Sequence, residues 1–391
     1  MSIRGSARLD LLPGYPLAEI PALVRELKAR GVDVINLGAG DARLEPPPEV
    51  IDALRGAVGD IDMSRYPFQL GLPAFREAAA RFMERRFGVH VDPYEEILPL
   101  IGSKEGIAHL PVALLDPGDV AVLPDPGYQA YRGGVVLAGA EPHGVPLRPE
   151  HDFLIPLGDL ADDVARRTRM LILNYPNNPT TAEAPPEYLT QAVEFCHERS
   201  AVLVHDHAYS EIAFDGYRPP SILEFDGARD VAIEFHSLSK TYNMTGWRLG
   251  WAAGNRELIA HLSRAKTFLD TGAFLAVQAA GVAALGCWDR WVPENVEVFR
   301  ARRDAAAEAL RAEGFEVRVP RATMYLWIPV PAGESAADFA LRALRREGVV
   351  VLPGSSLGEG GEGFFRVALT VSPERLREAA ARLGRVGFER S

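Results

Sequence analysis

From about residue 90, short runs of consecutive apolar residues alternate with stretches whose apolar positions recur every three or four residues. The runs at 97–101, 120–123, 170–174, 201–205, 231–236 and 249–253 predict strands. The stretches at 105–115, 128–137, 187–198 and 257–267 predict helices. Consecutive apolar residues mean burial on both strand faces, and helices between such strands imply a mainly parallel sheet covered on both sides. The pattern differs at the two ends. Residues 1–46 carry one amphipathic helix (17–30), a short strand (34–37) and then Pro46-Pro47-Pro48. Beyond residue 286 come a long charged helix (295–313), strands near 316–319 and 325–329, a helix at 336–346, a strand at 365–369 and a last helix from Glu374. The fold class expected is α/β: a large three-layer domain of residues 47–285, and a small α+β domain formed from residues 1–46 and 286–391.

Composition narrows the partners. With 42 basic and 53 acidic residues among 391, the chain carries a formal charge of −11, which repels phosphate backbones and argues against nucleic acid as a partner. Cys196 and Cys287 supply neither a disulfide framework nor a CxxC metal pair, so a reduced, cytoplasmic setting is expected. Met-Ser-Ile-Arg-Gly at the start lacks the pattern of a signal peptide. The longest apolar stretch, 274–288, is interrupted by Gln278 and glycines and reads as a buried helix, so no membrane partner is expected.

The basic residues are nearly all arginine; the only lysines are Lys28, Lys104, Lys240 and Lys266. Lysine can lose its proton and become a nucleophile, whereas arginine cannot. Lys28 and Lys266 sit in helical patterns and read as solvated faces. Lys240 closes Val-Ala-Ile-Glu-Phe-His-Ser-Leu-Ser-Lys, at the carboxyl end of a buried strand, where open α/β sheets bind ligands. It is either a nucleophile with a burial-lowered pKa or a surface lysine ending a strand. Ser237, Ser239 and Arg248 bracket it with two hydroxyls and a planar donor fork suited to an anion. Gly102-Ser103-Lys104-Glu105-Gly106 follows a strand and opens a helix: a phosphate-binding turn, or a plain cap with Ser103 at its head. Asn174-Tyr175-Pro176-Asn177-Asn178-Pro179-Thr180 is a stiff turn that holds Asn178 for a ligand or is simply a rigid loop. Asp206 ends an apolar strand and needs a partner there: a protonated ring nitrogen, an arginine or a histidine.

Taken in order, Asn-Asn-Pro-Thr (177–180), Asp-His-Ala-Tyr (206–209), Ser-Leu-Ser-Lys (237–240) and Gly-Trp-Arg (246–248) resemble the motif series of class I/II aminotransferases. These are pyridoxal 5'-phosphate enzymes of fold type I. The likeness runs from Leu-Gly-Ala-Gly-Asp (37–41) to Phe-Arg-Val-Ala-Leu-Thr (365–370). Within the family, Gly-Ser-Lys-Glu-Gly-Ile-Ala-His, Pro-Asp-Pro-Gly-Tyr and Lys-Thr-Tyr-Asn-Met-Thr-Gly-Trp-Arg are similar to the LL-diaminopimelate aminotransferase group. The resemblance implies that Lys240 holds the cofactor covalently and serves as the catalytic base. Asp206 then faces the pyridine nitrogen, Asn178 and Tyr209 bind the ring oxygen, and Tyr128 stacks on the ring. Ser103, the Lys104 backbone, Ser237, Ser239 and Arg248 hold the phosphate, joined by Tyr66 reaching across a homodimer interface. Arg366 clamps the substrate carboxylate, with Tyr15, Gly40, Asn178 and Lys104 lining the same pocket. The activity implied is ping-pong transfer of an amino group between an L-amino acid and a 2-oxo acid.

Two positions depart from the group's pattern on the substrate side: Thr181 stands where relatives carry glycine, and 270–276 reads Asp-Thr-Gly-Ala-Phe-Leu-Ala. Lys104, Arg43 and Glu105 are candidates for a second polar clamp, or form a solvated rim. A carbon–sulfur β-lyase shares every cofactor contact and is the alternative outcome. A regulator built on an inactive form of the fold is disfavoured by the charge and by Lys240, Asp206 and Arg366 occurring together. A nicotinamide enzyme is disfavoured because no Gly-x-Gly-x-x-Gly follows an early strand.

Overall fold

The computed structural model describes residues 4–12, 19–68 and 70–388. Among these are twelve strands: β1 (Ile35–Asn36), β2 (Ile97–Leu100), β3 (Val120–Asp125), β4 (Glu141–Pro146), β5 (Thr168–Leu173), β6 (Val202–Asp206), β7 (Ala232–Ser237), β8 (Gly250–Gly254), β9 (Tyr325–Pro329), β10 (Val349–Val350), β11 (Leu352–Pro353) and β12 (Phe364–Ala368). Seven form the central sheet in the order β2-β8-β7-β6-β5-β3-β4. Only β8 runs against its neighbours. The carboxyl ends of β2, β3, β5, β6 and β7 therefore share one edge with the amino end of β8. Every polar segment singled out between Gly102 and Arg248 leaves the sheet at that edge.

The strands are buried on both faces, as their apolar runs require. Val122, Leu171 and Leu203 pack in a cluster on one side, and Ala121, Ile172 and Val204 in a cluster on the other. A third cluster, around Phe299, Leu326, Phe339, Phe365 and Leu376, surrounds the antiparallel sheet β11-β12-β9. β1 pairs with β10 beside it. Helices Pro48–Val58, Pro73–Phe87, Pro186–Arg199 and Pro373–Gly387 all begin on proline, where its fixed φ suits the first turn and its missing N–H costs nothing.

Three features differ from the pattern-based expectation. Residues 316–319 form no strand, because the Val317 carbonyl is taken by the Arg311 guanidinium at 2.6 Å rather than by a neighbouring chain. β4 is an addition to the predicted strands: it is an edge strand with exposed and half-buried positions and two prolines, which only an edge tolerates. The first two proline-led helices also lie where the apolar pattern gives no element. No helix among the described residues is long and apolar enough to cross a membrane.

Candidate active site

At the carboxyl edge of β7, the Ser237 side chain accepts a hydrogen bond from the Ser239 amide at 3.2 Å and caps the short helix Leu238–Thr241. That turn carries Lys240 off the strand, half-buried, with its Nζ donating to the Gly40 carbonyl. Gly40 must be glycine here, since a Cβ would stand 2.3 Å from the Tyr325 hydroxyl. One strand over, Asp206 is buried at the end of β6. Its Oδ2 accepts from the Tyr131 hydroxyl at 2.7 Å, while Oδ1 has no hydrogen-bond partner among the described residues. Burial raises the Asp206 carboxyl above the ordinary carboxylate range, against the opposing pull of Tyr131 and His205.

The Asp206 carbonyl accepts from Asn174 Nδ2 at 2.7 Å, and Asn174 Oδ1 in turn accepts from the Asn178 amide at 2.8 Å. This links the loop after β5 to the end of β6 and sets Asn178 beside Arg366, whose Nη1 donates to Asn178 Oδ1 at 2.6 Å. Arg366 Nη2 donates to the Gly38 carbonyl at 2.8 Å, and its buried Nε is unpartnered among the described residues. The guanidinium lies 4.1 Å from the ring centroid of Tyr325. Tyr209 stands 3.1 Å from Tyr325, hydroxyl to hydroxyl.

A second cradle forms between β2 and β8. Gly102, at φ +70°, turns the chain into helix Ser103–Leu114, and a Cβ there would lie 2.2 Å from Arg248 Nη2. Arg248 Nη1 donates to the Thr245 carbonyl at 2.8 Å and lies 3.4 Å from Ser239 Oγ. The Ser103 turn, Ser237, Ser239 and Arg248 thus surround one small space with hydroxyls, a guanidinium and the N–H groups of a helix start, a donor set suited to a phosphate. Between the two cradles Tyr128 packs edge-on against Tyr131, with ring centroids 5.7 Å apart, and Lys104 Nζ lies 5.7 Å from the Tyr128 ring. Burial, and then the charge of Asp206, push the Tyr128 hydroxyl up to about 12.

The structure therefore gathers Lys240, Asp206, Tyr209, Asn178, Tyr128, Ser103, Lys104, Ser237, Ser239, Arg248, Gly40 and Arg366 at and over the carboxyl edge of the central sheet. Tyr66 is not among them: it is 72% exposed and packs on Phe68. Tyr15 lies outside the described residues. Arg43 is exposed. Two expectations are corrected. Lys266 is no solvated lysine; it is fully buried, 2.7 Å from Glu105 and 3.1 Å from Asp270, because helix Arg256–Leu269 packs that face on helix Ser103–Leu114. Glu105, which also holds His109 at 2.9 Å, is thereby engaged and belongs to neither a rim nor a clamp.

Sequence reasoning missed Tyr131, Tyr325 and a buried layer behind Asp206. Tyr131 lies three residues after Tyr128, one helical turn away, and that spacing is a usable signal. Tyr325 begins the apolar strand Tyr-Leu-Trp-Ile-Pro, where nothing distinguishes it from core. In the buried layer, Glu234 accepts from Ser221 Oγ and the Ile222 amide, both at 2.8 Å, and contacts His205 and His236 at 2.8 and 2.7 Å. His205 also reaches the Tyr175 carbonyl at 3.0 Å, tying β6, β7 and the loop after β5 together.

A seven-stranded, mostly parallel sheet with a buried carboxylate and an amine at its carboxyl edge defines a fold type I pyridoxal-phosphate enzyme. The chain belongs to the family of class I and II aminotransferases, whose model matches residues 32–383. It is 49% identical to the LL-diaminopimelate aminotransferase of Desulforudis audaxviator over 99% of this chain and 100% of that one. Against the Aquifex aeolicus LL-diaminopimelate aminotransferase the identity is 46%, over 97% and 98% of the two chains. Among solved structures, substrate-bound BacF from Bacillus subtilis superposes with a TM-score of 0.94 at 32% identity, covering 99% and 98% of the two chains. A probable N-succinyldiaminopimelate aminotransferase from Thermus thermophilus gives 0.90 at 39% identity, covering 95% and 100%. The protein is thus a pyridoxal-phosphate-dependent aminotransferase, and these relatives favour transamination over the lyase alternative.

Proposed function

We propose that the gathered side chains divide the work of transamination as follows, and that the amino donor is LL-diaminopimelate or a close analogue. The carrying observation is Asp206 Oδ1, a buried acceptor without a hydrogen-bond partner among the described residues, at the same sheet edge from which Lys240 leaves β7. A buried carboxylate oxygen without a donor is costly, and a protonated ring nitrogen answers it. Pyridoxal phosphate, when bound, supplies the electron sink that accepts the pair left behind when an amino acid loses its α-proton.

Lys240 would hold the cofactor through its Nζ, and its amine would serve as the base that takes the proton from the substrate Cα. Asp206 keeps a proton on the ring nitrogen, with its own charge oriented by Tyr131. Tyr209 and Asn178 would donate to the ring oxygen, Tyr128 would cover the ring, and Ser103, the Lys104 backbone, Ser237, Ser239 and Arg248 would secure the phosphate. Arg366 would receive the α-carboxylate beside Gly40 and Asn178, and the exposed Lys104 side chain would meet a distal carboxylate. Residues 47–285 act as the large domain, and residues 1–46 with 286–391 as the small one. The working form is a cytoplasmic homodimer, in which Tyr66 of one subunit completes the phosphate site of the other.

The substrate reading is tested by a half-reaction. Enzyme loaded with pyridoxal phosphate is mixed with single amino acids without acceptor, and loss of the visible absorption is followed. LL-diaminopimelate is expected to bleach it faster than alanine, glutamate, aspartate or the aromatic amino acids. An inert response to LL-diaminopimelate, with rapid bleaching by another donor, overturns the assignment.

A further inference from the structure

Tyr325 has no part in the scheme above, yet several of its groups meet there. Its hydroxyl is 3.1 Å from that of Tyr209, and its ring lies 4.1 Å beneath the Arg366 guanidinium. It closes the space over Gly40, whose carbonyl receives Lys240. The side chain is 3% exposed, and β9 holds it rigidly, pairing Tyr325 with Ala368 two residues along β12 from Arg366.

Two hydroxyls at this distance share one hydrogen bond, and the single proton that each carries sets its direction. Burial raises both groups. At Tyr325, however, Arg366 and Lys240 outweigh burial and bring the hydroxyl below the ordinary tyrosine value, whereas Tyr209 is held well above it by burial and by Tyr325. Each phenol has one proton, and the Tyr209 proton is assigned above to the cofactor's ring oxygen, so Tyr209 accepts the shared bond and Tyr325 donates it. A phenol oxygen that accepts one hydrogen bond gives its own proton more strongly to the next acceptor in the chain.

We infer that Tyr325 is a positioning residue joining the two ends of the site: its ring is the floor on which Arg366 lies, and its hydroxyl donates to Tyr209, leaving the Tyr209 proton for the cofactor's ring oxygen. The inference rests on the roles proposed above for Arg366 and Tyr209. It makes the floor and the donor separable, because phenylalanine keeps the first and removes only the second.

The test compares Tyr325→Phe, Tyr325→Leu and Tyr209→Phe enzymes reconstituted with pyridoxal phosphate, by steady-state kinetics and by pH titration of the visible absorption. Weaker donation leaves more negative charge on the ring oxygen, which holds the adjacent nitrogen's proton more tightly, so the spectral midpoint moves to higher pH. Tyr325→Phe is expected to move it upward and to lower kcat about three- to tenfold, the loss of one hydrogen bond, with amino-acid KM within about twofold. Tyr325→Leu is expected to raise KM further, about threefold or more, as the guanidinium loses its aromatic floor. If Tyr209→Phe shifts the midpoint and Tyr325→Phe does not, the inference is wrong while the role of Tyr209 stands. If Tyr209→Phe leaves the midpoint unmoved, the role of Tyr209 falls and the inference falls with it. Equal rises in KM for the Phe and Leu variants also overturn it, since only one of them removes the ring.

Discussion

Asp206 shows how one side chain can serve function at a cost to the empty protein. Burial raises its carboxyl above the ordinary carboxylate range, and among the described residues only Oδ2 accepts a side-chain hydrogen bond. A group whose pKa is higher folded than unfolded binds its proton more tightly when folded, so its contribution to stability falls as pH climbs above the ordinary carboxylate value. Cofactor-free Asp206→Asn is therefore expected to melt higher than cofactor-free wild type at about pH 8, with the gap narrowing as the pH falls toward the ordinary carboxylate value. In the loaded enzyme the order reverses, because asparagine brings no charge to the ring nitrogen, and turnover drops by about 100-fold or more. Scanning calorimetry of both forms decides it; a cofactor-free variant less stable than wild type at the higher pH would refute the argument. Asp206 and Lys240 stand out in the sequence because a charged residue ending an apolar run is conspicuous. Tyr131 and Tyr325 do not, because an aromatic ring inside an apolar segment looks the same whether its hydroxyl meets a carboxylate or packs in the core.

At the scale of elements, the buried Lys266 couples three pieces of chain. Its ammonium joins Glu105, at the start of helix Ser103–Leu114, to Asp270, just past helix Arg256–Leu269, and Glu105 Oε2 also accepts from the Ile101 amide at 3.0 Å. The turn at Gly102 that faces Arg248 is thus braced from behind. Removing one partner of a buried ion pair leaves the others uncompensated, so Lys266→Met is expected to cost about 3–5 kcal/mol in denaturant unfolding. Adding Glu105→Gln to that variant should recover part of the loss, and a single-variant cost below about 1 kcal/mol would show that the brace carries little. The helical spacing around Lys266 is legible, but a period of 3.6 does not say whether the opposite face meets water or another helix. The inner strands are legible for the converse reason: a run of consecutive apolar residues has no face left for solvent. β4 and residues 316–319 fall between these cases. Edge exposure makes β4 look like loop, and Val317 makes its neighbourhood look like strand although its carbonyl is spent on Arg311.

For the whole molecule, the outstanding feature is a set of exposed apolar side chains. Tyr66 and Phe68 are exposed, as are Ile61, Phe268 and Phe274. The segment that follows Tyr66 and Phe68 is fixed by Gln278, whose Oε1 accepts from the Leu72 amide at 2.7 Å while its Nε2 donates to the Ala273 carbonyl at 2.7 Å. Exposed apolar side chains of this kind suit the proposed homodimer, in which a second copy related by a two-fold axis would bury the same residues from both sides. The proposed part of Tyr66 makes this arrangement testable beyond its mass. In a mixed dimer of Lys240→Ala and Tyr66→Ala chains, one site combines Lys240 from the Tyr66→Ala chain with Tyr66 from the Lys240→Ala chain, and so has both. The other site has neither. Mixing and refolding the two variants should therefore produce a species with about half the wild-type activity per dimer and normal cofactor affinity at its one working site. If Tyr66 instead serves its own subunit, every site in the mixture lacks one group, and activity stays at the level of the Tyr66→Ala chain alone. Sedimentation of the same mixture separates this outcome from a failure to exchange subunits, since differently tagged chains must first be recovered together.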